Sequence, residues 1–198
     1  MEGIQRLRPL ATSATVPCWR VQGKVAQVAS GAGDRVALLA YGRGTQQRVL
    51  PGRGGPHLRV LLDALAVTRA ESAEADHTRA AATVMSAQKR RALIVWLTDV
   101  AESAAVPEVI ESAARMVPRH VLVFAVTRPP ELTALAARAP DTGRDLYRVM
   151  AAQEMVERRA LLLGQLRQRG AMALEVPSAE LTSTVIDRYL GVKERNLL

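Results

Sequence analysis

The chain has 198 residues, 48% of them apolar but only 3% aromatic, and a formal net charge of +8. That length suits one α/β domain with a core of Leu, Val and Ala, and arginines spread over many helix faces with almost no aromatic residue between them do not make a nucleic-acid surface. A lone cysteine, Cys18, excludes an internal disulfide and any cysteine zinc cluster. No run approaches the roughly 20 apolar residues of a membrane-spanning helix, and the expected location is the cytoplasm.

Residues 1–22 mix β-branched residues with Pro9 and Pro17 and read as an irregular segment ahead of a domain over residues 23–198. Val25, Val28 and Ala29 give Lys24–Ser30 a helical spacing, stopped by Gly31-Ala32-Gly33. Arg35–Gly42 and Gln46–Leu50 read as strands joined by the tight turn Gly42-Arg43-Gly44, a hairpin that would put an antiparallel edge on a parallel sheet. The glycine-dense stretch Pro51–Pro56 lacks both a Gly-Lys-Ser/Thr ending and the GxGxxG spacing, so it reads as a loop before a helix over His57–Val67. A further helix is expected over Asp76–Arg90, with Lys89-Arg90-Arg91 complementing its dipole.

The stretch Ala92-Leu93-Ile94-Val95-Trp96-Leu97 is too short for a helix and has no polar face, which predicts a central parallel strand covered on both sides. Thr98-Asp99 fall at its carboxyl end, where open parallel sheets gather ligands. Asp99 can hold a cation or a hydroxyl there, or cap the next helix. Pro107 opens a helix to Val117, His120–Thr127 is the next buried strand, Glu131–Arg138 a short helix, and Asp145–Arg169 the longest helix, closed by Gly170. Its predicted apolar stripe is Leu146, Val149, Met150, Met155, Val156, Leu161, Leu162 and Leu166. Ala171–Val176 reads as an edge strand, and Pro177-Ser178 cap a last helix with a stripe of Leu181, Val185, Ile186, Tyr189 and Leu190.

Strands alternating with helices imply a doubly wound, mostly parallel sheet. Catalysis finds little support in the side chains. His57, His77 and His120 lie on different elements without the spacing of a metal pair or of a nucleophile's base. His120 reads as a satisfied core histidine, Glu71 and Glu74 as solvated loop acids, and Cys18 has no neighbouring base.

Four pieces carry a resemblance: Gly33-Asp34-Arg35-Val36-Ala37-Leu38-Leu39-Ala40-Tyr41-Gly42, Leu93–Asp99, Arg119–Val123, and Leu181–Lys193 with its Asp187-Arg188-Tyr189-Leu190. Together, over roughly residues 24–198, they resemble the C-terminal half of the bacterial domain of unknown function 58 family, which is similar to a von Willebrand factor type A domain. The resemblance implies a Rossmann-like sheet with helices on both faces, a metal-ion-dependent adhesion site, and work beside a MoxR-type AAA+ ATPase in assembling or maturing other proteins. Complete members usually begin with two membrane-spanning helices, and this sequence contains none.

Such a metal site takes an Asp-x-Ser-x-Ser motif after the first strand, a loop Thr, and an Asp after the fourth strand, because Mg²⁺ demands several oxygen ligands in an octahedron. Asp99, preceded by Thr98, matches the fourth-strand acid, while Asp76 and Thr78 are the oxygen donors available in place of the loop Thr. Neither Asp-x-Ser-x-Ser nor the reduced Asp-Gly-Arg form is present, so the expected metal set of Asp99, Thr98, Asp76 and Thr78 is incomplete. With the first strand replaced by unrelated sequence, the sheet would lack its middle strand unless Thr15–Val21 fills the place. The expected function is a non-enzymatic protein-interaction domain acting with the AAA+ ATPase. The alternatives are an inactive fragment of a longer, membrane-anchored family member, and a metal-dependent hydrolase using Asp99 and Asp76.

Overall fold

The structure, a computed structural model, describes residues 18–69, 71, 74–98 and 106–197. Helix α1 (Cys18–Gly31) leads into a hairpin of β1 (Val36–Tyr41) and β2 (Thr45–Gly52). There follow α2 (Gly55–Val67), α3 (His77–Ala87), β3 (Leu93–Leu97), α4 (Val106–Met116), β4 (Val121–Arg128), α5 (Pro130–Ala137), α6 (Gly143–Gln168), β5 (Met172–Pro177) and α7 (Leu181–Glu194). Strands β3, β4 and β5 form a parallel sheet in that order, with Val95 opposite Val123 and Ala125 opposite Leu174. Strands β1 and β2 form a separate antiparallel pair.

The middle strand of the parallel sheet, β4, is buried from Val121 through Thr127, as a strand paired on both edges and covered on both faces must be. On one face Trp96, Leu122, Phe124, Val126 and Ala173 pack against α3, α4 and α6 through Ala81, Val109, Met116, Leu162 and Leu166. On the other, Ala125 and Val176 meet Val21 of α1 and Leu181 and Val185 of α7, with Val95 and Leu97 at the margin. Helices thus lie on both faces of the sheet, a mixed α/β architecture.

The N-terminal boundary moves. Residues 18–22 belong to helix α1 and are helical rather than irregular, so of the stretch considered as a strand, Thr15–Val21, the described part is helix; Thr15–Pro17 lie outside the described residues. Val21 is fully buried because Val21, Val25 and Ala29 recur every fourth residue on the helix face that meets the sheet. Residues 1–17, and with them most of the predicted irregular segment, lie outside the described residues.

Strand β3 sits at the edge of the parallel sheet rather than at its centre, and the hairpin is not bonded to that sheet. Both differences have one cause: among the described residues no strand lies between β1 and β3. Helix α3 ends at Ala87, so Lys89, Arg90 and Arg91 lie beyond its last turn, and Arg91 Nε donates to Leu197 O at 2.7 Å instead. The face that α6 buries is Val149, Ala152, Arg159, Leu162, Leu163 and Leu166, whereas Leu146, Met150, Met155, Val156 and Leu161 are exposed. Leu146, Met150 and Leu161 lie outside the arc of the helix that faces the core, whereas Met155 and Val156 lie within it and are only just exposed, at 39% and 37%. Glu180, without a side-chain bond, stands at the start of α7 in place of Pro177-Ser178, and Leu190 is exposed while Val192 is buried. The residue after α6 and its cap is Gly170 at φ +90°, a left-handed position that suits glycine.

Candidate functional site

Sequence pattern directs attention to the amino end of α3 and the carboxyl end of β3. Asp76 is the N-cap of α3: its Oδ1 accepts from Arg79 N at 2.8 Å, satisfying an otherwise unpaired first-turn N–H. Its own N–H donates to Gly42 O at 2.9 Å, which ties the start of α3 to the turn after β1. A Cβ at Gly42 would meet the Glu71 carboxylate, which would have to shift to admit it. Glu71 accepts from Arg43 N at 3.0 Å and from Gln46 Nε2 at 2.9 Å, so it fastens the loop to the hairpin rather than standing free in solvent.

Thr78 is exposed on α3. Thr98 is half-buried, and its N–H donates to Ala125 O at 3.4 Å, extending the β3–β4 ladder by one residue. Asp99 lies outside the described residues. Among the described residues no group of three or more His, Cys, Asp or Glu side chains could hold a metal ion. The described donors therefore do not fit Mg²⁺: the one carboxylate among them is already a helix cap, and a hard cation needs several oxygens at once.

What the structure assembles at this end is a group that sequence reading passed over. The hydroxyl of Tyr41, on β1, accepts from Trp96 Nε1, on β3, at 2.6 Å and lies 3.0 Å from His77 Nδ1, on α3. The hydroxyl is thus shared between the indole N–H and the imidazole Nδ1. The rings pack in series, His77 tilted against Trp96 with centroids at 5.9 Å and Trp96 edge-on to Phe124 at 5.4 Å. Burial lowers the His77 pKa, partly offset by the charges of Glu108 and Asp76. Burial likewise pushes the Tyr41 hydroxyl far above its ordinary range, against the indole hydrogen bond. Burial disfavours the charged form of both groups, and their hydrogen bonds make a latch that joins the two sheets. No periodicity betrays it, since its three members come from three elements.

Away from the latch, the two sheets stand apart. A cleft of about 880 Å³ opens between them, walled by β1 from Val36 to Leu39 and by β3 from Leu93 to Leu97. Val25, Ala26 and Ala29 of α1 line it from one side, and Ala80, Ala81 and Val84 of α3 from the other. Arg35, Lys89, Arg90 and Arg91 stand at the end from which both strands start. Asp34 at this end receives Tyr189 Oη at 2.5 Å and Lys193 Nζ at 3.0 Å from α7. Burial raises the Asp34 pKa, but these two donors outweigh it and hold the carboxyl below its ordinary value.

His120 behaves differently from expectation. It is buried, yet neither ring nitrogen has a hydrogen-bond partner. Burial lowers its pKa, and the charges of Arg119 and Arg91 lower it further. His57 by contrast bonds Val36 O through Nε2 at 2.8 Å.

A parallel sheet covered by helices on both faces, with a hairpin alongside it, defines an α/β domain of the class that places function at strand ends and sheet margins. Residues 18–157 match the family described as Protein of unknown function DUF58, and the chain belongs to that family. No curated protein and no solved structure matches it.

Proposed function

We propose that the chain is a non-enzymatic protein-interaction domain of the cytoplasm that works with a MoxR-type AAA+ ATPase in assembling or maturing other proteins. The observation that supports this reading is the open apolar cleft between β1 and β3, because unpaired strand edges beside apolar walls are what a second polypeptide can satisfy. The described polar groups at the amino end of α3 are engaged in holding the fold: Asp76 caps the helix, and Tyr41 joins Trp96 to His77. The sheet orders, with helices on both faces, support a doubly wound, von Willebrand factor type A-like arrangement interrupted between β1 and β3. No helix among the described residues is long and apolar enough to cross a membrane.

The test is to mix the purified chain with the MoxR-type ATPase and follow both by size-exclusion chromatography and titration calorimetry. Co-elution with saturable heat supports the reading. Independent elution, with and without ATP, refutes the partnership.

A further inference from the structure

We infer that the cleft between β1 and β3 is a strand-accepting slot, and that its occupant is an extended segment of another polypeptide: an uninterrupted run of β-branched apolar residues preceded by acidic ones. This rests on the interaction reading above and specifies its site.

The two walls run in the same direction. Asp34, just before β1, and Arg91, just before β3, are both bonded to the end of the chain at α7, through Lys193 and Leu197. Tyr41 and Trp96, near the other ends of the same strands, are bonded to each other. A strand entering between them can thus run parallel to both neighbours. The cleft, about 880 Å³ in all, runs along β3 from Leu93 to Leu97, a length of about 16 Å for five extended residues.

Wall chemistry then selects the occupant. Helices α1 and α3 present Val25, Ala26, Ala29, Ala80, Ala81 and Val84 from opposite sides, so both faces of an entering strand meet apolar surface and an alternating sequence would bury polar groups. Strand β3 itself, Leu-Ile-Val-Trp-Leu, carries none of the charges or prolines that protect natural edges, which is the composition of a strand that is paired on both sides. At the entry end Arg35, Lys89, Arg90 and Arg91 are exposed or partly so, and the one acid lining the cleft, Asp34, is already paired with Lys193. Acidic residues ahead of the apolar run would meet those cations. The residues that precede α1 in this chain have the opposite chemistry: Arg6 and Arg8 come ahead of Leu10-Ala11-Thr12-Ser13-Ala14-Thr15-Val16, whose hydroxyls would face apolar walls.

The probe is a synthetic peptide, Asp-Glu-Val-Ile-Val-Ile-Val with a Gly-Ser tail, added to the full chain. At about 100-fold excess over its dissociation constant it is expected to raise the melting midpoint by roughly 5 to 10 °C. The same peptide with proline at the centre of the run, unable to donate to both edges, is expected to raise it not at all. Ala37→Trp, which places a large side chain at the slot from an exposed position on β1, is expected to abolish the shift. No shift with the Val-Ile peptide, or an equal shift with the proline version, overturns the proposal. So does a lowered midpoint in the full chain carrying Thr12→Pro and Ala14→Pro, which would identify the chain's own residues as the occupant. A dimer that dissociates when peptide is added would assign the slot to a second copy and overturn it as well. Capture of the ATPase by A37W separates the two ideas: if A37W loses the peptide but keeps the ATPase, the slot is not the ATPase site while the interaction reading stands.

Discussion

Val95 and Val123 are the same residue type, directly opposite one another in neighbouring parallel strands, yet Val123 is fully buried and Val95 only half so. Their strands are almost equally apolar. The difference lies in the neighbours: β4 has a strand on each edge, whereas β3 has β4 on one side and the cleft on the other. A strand's composition states what surroundings it needs, and only the assembled sheet supplies them.

Substitutions can sharpen that contrast. The largest effect is expected at Phe124, fully buried on β4 and edge-on to Trp96: Phe124→Ala should lower stability in urea by about 3 to 5 kcal/mol. Next is Tyr41→Phe, which leaves Trp96 Nε1 and His77 Nδ1 without their shared partner and should cost about 1 to 3 kcal/mol, read as a lower urea midpoint. A drop of only a few tenths would mean the latch is ornamental. The matched pair comes third: Val123→Ala should cost about 2 kcal/mol and Val95→Ala about half that, because a half-exposed valine loses less transfer energy and leaves less cavity. Equal costs would break the comparison. Saturation with the strand peptide should bring the cost at Val95 up towards that at Val123.

A smaller effect is expected from pH. His77 and His120 both have pKa values lowered by burial, so both stay neutral in the fold while their counterparts in the unfolded chain take up protons near the ordinary value of 6.5. The unfolded state then binds more protons below that pH, so stability is level above it and falls as the solution is acidified from about 6.5 towards the folded values. Thermal melts across this range should show the decline, and His120→Leu should make it shallower. A decline unchanged by that substitution would remove His120 from the account. The smallest effect is for millimolar Mg²⁺ or Mn²⁺, which should leave the melting midpoint where it is, because the described donors do not assemble a cage. A rise would mean that Asp99 and Thr98 belong to a working site after all, since a ligand that binds only the native state must stabilise it.

Much of the fold was legible in the residues themselves. Short uninterrupted apolar runs at Leu93–Leu97 and Val121–Val126 read as strands with covered faces, the Gly42-Arg43-Gly44 turn as the joint of a hairpin, and helical periodicity marks α2, α3 and α7. These signals are local, carried by residues within one or two turns of each other. The candidate site was less legible. Asp76 and Thr98 fall near the ends where pattern placed them, but whether a carboxylate caps a helix or awaits a cation depends on which N–H it faces, and Asp76 faces that of Arg79.

The tertiary structure alone decided the rest. Tyr41, His77 and Trp96 are up to 55 positions apart and become one hydrogen-bonded group only when the two sheets are set side by side. Likewise the apolar pattern of α6 could not reveal which of its many apolar residues turn inward, since several phases were available and packing against α4 and β5 selected one. The edge position of β3 follows from the same principle: a sequence of apolar residues determines that a strand will seek cover, because water is a poor solvent for it. Which neighbour provides that cover, and where one is lacking, is a property of the assembled sheet.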